Sequence, residues 1–63
     1  MLEVMIERWD NADGSSSFLW SLWQAGRRVE MGGRFESAAQ ARQAALDFCR
    51  DRFGSPPDRV REL

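Results

Sequence analysis

Residues 32–54, GGRFESAAQARQAALDFCRDRFG, decide the fold because they contain a helix together with its start and stop signals. Ser37 and Gln40 have the spacing of a capping box, in which the serine oxygen accepts the Gln40 amide and the glutamine reaches back to the amide at the cap. Gly54 suits the left-handed position that ends a helix, and two prolines follow it closely. The pattern predicts a helix that begins at Ala38 and ends before Gly54.

One face of this predicted helix is apolar and consists largely of small side chains. At about 100° per residue, the residues that share this face or flank it are Ala38, Ala41, Ala45, Leu46, Phe48, Cys49 and Phe53. Alanines allow a helix to approach a sheet closely, so that larger neighbours fill the space beside them. We therefore expect the helix to pack on a sheet formed by the preceding residues.

Three segments before the helix have the pattern of β-strands. Residues 2–9 alternate apolar and polar side chains, residues 18–23 are aromatic and bounded by turn formers, and residues 28–31 follow a short turn. Gly32 and Gly33 are expected to end the third strand. The order predicts an α+β fold, a three-stranded antiparallel meander with one C-terminal amphipathic helix packed on one face (β-β-β-α).

Alternation along the strands divides the predicted sheet into two faces. The side chains expected to point toward the helix are Leu2, Val4, Ile6, Phe18, Trp20, Leu22, Val29, Met31 and Phe35. The side chains expected on the opposite, outer face are Glu3, Met5, Glu7, Leu19, Ser21, Trp23, Arg28 and Glu30.

The predicted domain covers residues 1–54, and residues 55–63 form a proline-containing C-terminal tail. Three interpretations of this tail stay open. It forms a short helical turn after the prolines, it frays, or it folds back through Val60 and Leu63 onto the sheet edge or onto a second chain.

Size and composition limit what the chain can be. It has 63 residues, a formal net charge of −1, one cysteine and no histidine. A chain of this length has a thin core and is marginally stable alone, so we expect oligomerisation or a partner. One cysteine excludes an internal disulfide, and the lack of histidine leaves no Cys/His set for zinc. We interpret Cys49 as a small buried hydrophobe.

All nine basic residues are arginines, and two explanations stay open. A GC-rich coding sequence accounts for them together with the abundant alanine and glycine. Alternatively, arginine suits interfaces through its planar, weakly hydrated guanidinium. No apolar run approaches the roughly 20 residues that span a bilayer, and no basic region precedes an apolar one at the N-terminus. We expect a soluble, cytoplasmic protein without a membrane partner.

Catalysis is not expected. Without histidine, lysine or tyrosine, general acid and base chemistry falls to carboxylates, and the sequence places no pair of them in an apolar pocket. The serines of residues 15–17 lie in a turn without a base. Asp10, Asp13 and Gly14 lack the spacing of a calcium loop. We predict no enzymatic activity, no cofactor and no metal.

The junction between the third strand and the helix has the form G-x-F-x-S-x-x-x-A-x-x-A-A. Its matching residues, with the three that precede it, are Gly33, Phe35, Ser37, Ala41, Ala44, Ala45, Phe18, Trp20 and Gly26. This junction resembles YegP-type uncharacterised bacterial modules and, more loosely, ethylene-response-factor domains and the arm-binding domains of phage integrases. The resemblance to the DNA-binding families implies that the outer face enters the major groove. Three glutamates on that face are expected to repel the phosphates, and only Arg28, with Arg8 and Arg27 near the strand ends, could offset this repulsion.

The outer face is also the predicted contact surface for a protein. Exposed tryptophan, methionine and arginine are typical of interfaces. The residues predicted to bind a partner are Met5, Trp9, Leu19, Trp23, Arg28 and Glu30. A competing interpretation is that the C-terminal tail covers Trp9 or Trp23.

The sequence supports two alternative functions. The first is a non-enzymatic protein-binding module, acting on a partner or as a homodimer, for example an inhibitor encoded by a phage or mobile element such as an anti-CRISPR protein. The alternative is a small nucleic-acid-binding accessory or regulatory protein that uses the same sheet face.

Overall fold

The three segments with strand patterns form a sheet, and the capped segment forms a helix across it. The computed structural model describes all 63 residues. Its elements are β1 (Leu2–Asp10), β2 (Ser16–Gln24), β3 (Arg27–Phe35), α1 (Ala38–Phe53) and β4 (Arg59–Glu62). The strands lie in the order β3-β2-β1-β4, with β1, β2 and β3 antiparallel. The predicted α+β meander with one helix on one face is confirmed, and β4 is an addition to it.

The helix has the predicted bounds because its caps are those encoded in the sequence. The Ser37 hydroxyl accepts the Gln40 amide at 3.1 Å, and the Gln40 side chain accepts the amide of Glu36, one residue before the expected one, at 3.0 Å. Gly54 has a φ of 75°, and its amide donates to the Arg50 carbonyl at 2.9 Å. Both helix ends are therefore satisfied by local hydrogen bonds.

The serine cap gives a direct test of this helix start. Ser37→Ala is expected to lower the free energy of unfolding by about 1 kcal/mol, because the Gln40 amide loses its acceptor. In a domain of this size that corresponds to a fall in Tm of about 4–8 °C in calorimetry. Ser55→Ala is the matched control, since Ser55 is exposed and its side chain makes no hydrogen bond. Equal melting temperatures for the two variants would contradict the capping role.

The core lies between α1 and the sheet. Its buried hydrophobic residues are Val4, Ile6, Trp20, Leu22, Ala41, Ala45 and Cys49. As expected from the small alanines, large rings fill the space beside them: the Trp20 and Phe48 ring centroids lie 5.2 Å apart. Phe53 does not join this core. It is the last helical residue and is 40% exposed, so its predicted core position is wrong.

The third strand does not end at Gly32 and Gly33, as the sequence predicted. It continues through both glycines to Phe35. Glycine fits both positions because side chains of β2 occupy the space that a Cβ would need. A Cβ at Gly32 would lie 2.6 Å from the Trp20 indole, and one at Gly33 would lie 2.7 Å from Cγ of Leu19. The glycines are therefore packing positions within a strand.

A β-bulge changes which side chains of β3 face the helix. Trp23 pairs with Arg28 but Leu22 pairs with Glu30, so Val29 is an extra residue, and Glu30, Met31 and Gly32 are shifted to the other face. A second irregularity, between Phe18 and Trp20, returns Phe35 to its predicted helix side. The predicted inward positions of Val29 and Met31 are wrong, and each is 47% exposed. The predicted outward position of Glu30 is also wrong, because Leu22 lies on the helix side.

The C-terminal tail folds back onto the sheet edge, which is one of the predicted alternatives. β4 pairs in parallel with β1 and places Val60 beside Val4. Two hydrogen bonds anchor its start: the Asp58 amide donates to the Leu2 carbonyl at 2.8 Å, and the Leu2 amide donates to the Asp58 carboxylate at 2.7 Å. No helical turn forms in residues 55–63.

Candidate interaction face

The sheet has one face that no other element covers, because α1 packs only on the side of Val4 and Leu22. Strand register assigns residues to this uncovered side, which we call the free face. Its members are Glu3, Met5, Glu7, Trp9, Ser17, Leu19, Ser21, Trp23, Arg28, Met31, Arg59 and Arg61.

The two tryptophans of the free face present rings with their indole N–H groups already bonded. Trp9 is 58% exposed, and its Nε1 donates to the Glu7 carboxylate at 3.2 Å. Trp23 is half-buried, and its Nε1 donates to Oγ of Ser21 at 2.8 Å. Ser21 itself is buried. The tryptophans therefore offer apolar contact area rather than hydrogen-bond donors.

Trp23 separates two shallow depressions on this face. One has a volume of about 60 Å³ and lies among Trp9, Leu19, Met31 and Trp23, with Glu7 and Arg28 on its rim. The other, about 300 Å³, is bordered by Met1, Met5, Trp23 and the turn at Ala25 and Gly26. Depressions lined by apolar side chains and bordered by charged ones are typical of an interaction surface.

The charges of the free face differ from those predicted. The bulge places Glu30 on the helix side of the sheet, and the pairing of β4 with β1 places Arg59 and Arg61 on the free face. The Arg59 and Arg61 guanidinium groups lie 3.4 and 3.8 Å from the Glu3 carboxylate. Arg28 and Glu7 form no ion pair. The face therefore has three arginines and two glutamates, and the expectation that glutamates dominate it is wrong.

Five of the six residues predicted to bind a partner lie together on the free face. Trp9 and Arg28 are exposed, while Met5, Leu19 and Trp23 are half-buried. The sixth, Glu30, lies across from Leu22 on the helix side. The C-terminal tail pairs with the edge of β1 and does not lie across β2, where Trp23 is located.

Four residues of the face were not predicted from the sequence: Ser17, Met31, Arg59 and Arg61. A usable signal existed for the arginines, because Arg59-Val60-Arg61 alternates with the period of a strand. No comparable signal existed for Met31. The alternation Val29-Glu30-Met31 is equally compatible with either face until the bulge is known.

Two groups with shifted pKa values lie outside the free face. Burial raises the pKa of the Cys49 thiol, which keeps it protonated inside the core. Hydrogen bonds from the Ser15 hydroxyl, at 2.6 Å, and amide, at 3.0 Å, lower the pKa of the Asp13 carboxyl in the loop between β1 and β2. Local packing and turn geometry explain both shifts. The structure brings no three metal-ligating side chains together.

No protein-family model matches the chain, and neither a curated protein nor a solved structure shows a significant match to it. The resemblances stated from the sequence stay predictions, so the free face is interpreted from its own geometry. The single helix is too short and too polar to cross a membrane.

Proposed function

We propose that the chain is a non-enzymatic protein-binding module that acts through the free face. The observation that carries the proposal is the cluster of Trp9, Leu19, Trp23 and Met31 on a sheet face that neither the helix nor the tail covers. Isolated exposed apolar residues are common on protein surfaces, but a contiguous cluster rimmed by charge is typical of a contact surface.

The composition of the cluster favours a protein over a small molecule. Tryptophan, methionine and arginine are enriched in protein interfaces, and tryptophan dominates their energetics. Both depressions beside Trp23 are shallow, whereas ligand pockets enclose most of a small molecule's surface.

The finer form of the proposal is an inhibitor encoded by a phage or mobile element, such as an anti-CRISPR protein. Its support is indirect: a 63-residue chain with a net charge of −1 and no histidine, lysine or tyrosine is suited to blocking a surface rather than to chemistry. In this form the free face occupies the surface that the target needs for its own substrate.

In the first step of the test, a photoreactive methionine analogue replaces Met31, and mass spectrometry identifies the protein that is cross-linked to it. Trp23→Ala is then expected to weaken binding of that protein by about thirtyfold or more in calorimetry, because buried interfacial tryptophans contribute about 2 kcal/mol or more. Phe53→Ala is the matched control, an exposed aromatic away from the free face. The proposal fails if no protein is cross-linked, or if Trp23→Ala binds as well as the control.

Nucleic-acid binding through the same face is the second candidate. It is favoured by Arg28, Arg59 and Arg61, which lie on a face that also exposes tryptophan rings for stacking. Retardation of DNA that weakens steeply with salt, and that Arg28→Ala reduces, would support an accessory or regulatory role on nucleic acid and replace the first proposal.

A further inference from the structure

We propose that the partner of the free face is a second copy of this chain, related by a two-fold axis that passes close to Ser21. The inference rests on the proposed function, because it names the occupant of the same surface. The register of the strands defines the relative placement of the two sheets in this dimer.

Ser21 is the centre of the apolar part of the free face. Met5 of β1 and Met31 of β3 lie directly across from it, and Leu19 and Trp23 lie two residues away on its own strand. Ser21 is small and buried, so its four larger neighbours surround a low point. These four side chains are therefore the apolar contact points around Ser21 that a second copy would meet.

Glu7 and Arg28, the two charged residues of the free face that form no intramolecular ion pair, lie on opposite sides of Ser21. Glu7 pairs with Leu19 in the register of β1 and β2, and Arg28 pairs with Trp23 in the register of β2 and β3. Each residue therefore lies one strand away from Ser21 and two residue positions along the strand direction, on opposite sides. With strands about 4.8 Å apart and about 3.3 Å per residue, their Cα atoms lie about 16 Å apart, with Ser21 midway.

Consider a two-fold axis that lies between two facing sheets, passes over Ser21 and is perpendicular to the line that joins the Glu7 and Arg28 Cα atoms. This axis exchanges the positions of the two charges. It places Glu7 of each copy over Arg28 of the other, so two ion pairs form per dimer. The same axis places Met5 over Trp23 of the second copy and Leu19 over Met31 of the second copy. From the spacings above, the strands of the two sheets cross at about 70°, closer to orthogonal than to aligned packing.

The Glu7–Arg28 pairs and the apolar contacts make the centre of the free face complementary to itself, as a two-fold interface requires. Dimerisation would add apolar burial to a core of only seven buried hydrophobic residues.

Sedimentation equilibrium across a wide concentration range tests the placement. The wild type is expected to be a dimer, and Glu7→Arg and Arg28→Glu are each expected to raise its dissociation constant by about tenfold or more, because each creates two like-charge contacts. The double variant Glu7→Arg/Arg28→Glu is expected to return to within about threefold of the wild type, since it restores both pairs with exchanged signs. Circular dichroism establishes that each variant keeps its fold.

The matched controls are Asp51→Arg, Arg42→Glu and their double variant, which make the same charge changes on exposed helix residues. They are expected to leave dimerisation unchanged. Failure of the Glu7 and Arg28 double variant to recover would overturn the placement.

A wild type that stays monomeric at every concentration would overturn the dimer. In that case, cross-linking of Met31 to another protein would leave the proposed function standing, whereas the absence of any cross-linked protein would remove both. Binding of the monomer to DNA through Arg28 would also remove both.

Discussion

Phe48→Ala is expected to lower the free energy of unfolding by about 3 kcal/mol, which is most of the stability available to a domain of this size. Phe48 packs against Trp20 with ring centroids 5.2 Å apart, and Trp20 is itself buried. Truncation leaves a cavity beside the indole and removes an aromatic pair, which adds to the lost burial. Part of the Phe48 ring is solvent-accessible, which keeps the expected value at the low end for phenylalanine in a core.

Chemical denaturation monitored by circular dichroism measures this effect, because the unfolding midpoint reports the change in stability. Phe53→Ala provides the comparison within the same helix. Phe53 is 40% exposed, so its truncation is expected to cost within about 0.5 kcal/mol of zero. If the two phenylalanines cost the same, or if Phe48→Ala melts like the wild type, the packing of α1 on the sheet is not as described.

Gly32→Ala is expected to destabilise the fold by about 3 kcal/mol, at the upper end for overpacking. The added Cβ would lie 2.6 Å from Cε2 and Nε1 of Trp20, a separation that requires the ring to move. Phe48 on the helix side limits that movement. The same methyl group would be harmless in a strand whose glycine had open space above it.

A double-mutant cycle with Trp20→Phe isolates the cause of the Gly32 effect. Phenylalanine lacks the fused ring atoms that the new Cβ meets, so Gly32→Ala is expected to cost at least about 1 kcal/mol less in that background. Gly33→Ala is the neighbouring control. Its Cβ would meet Leu19, which is half-buried on the free face, and not the Trp20 indole. An equal cost at Gly32 in both backgrounds would exclude the steric explanation.

The sequence predicts the helix to the residue because its determinants are local. Ser37, Gln40 and Gly54 act on backbone groups within four positions of themselves, and a pattern read along the chain captures such interactions. β1 and β2 were predicted at slightly shorter lengths, since pairing extends them by residues of low strand propensity, including Asp10 and Ser16. β3 was predicted at less than half its length, because the sequence did not show that its glycines continue the strand.

The bulge at Val29 and the docking of the tail depend on partners that are distant in sequence. Trp20 pairs with Gly32 and leaves no room for a Cβ there, and the bulge that precedes this pair reverses the sides of Glu30 and Met31. Likewise, Arg59 reaches the free face only because β1 accepts β4 as a neighbour. One bulge and one strand pairing therefore changed the predicted charge of the candidate interface while leaving its tryptophans in place.

The pairing of β4 with β1 also protects one edge of the sheet from pairing with another chain. Without β4, the nine-residue β1 would present a bare row of amides and carbonyls beside Val4 and Ile6, which is a template for fibril-like growth. The strand that blocks this row is only four residues long and has Arg59, Arg61 and Glu62 along it. The C-terminal segment thus acts as a charged gatekeeper for the most apolar strand edge in the molecule.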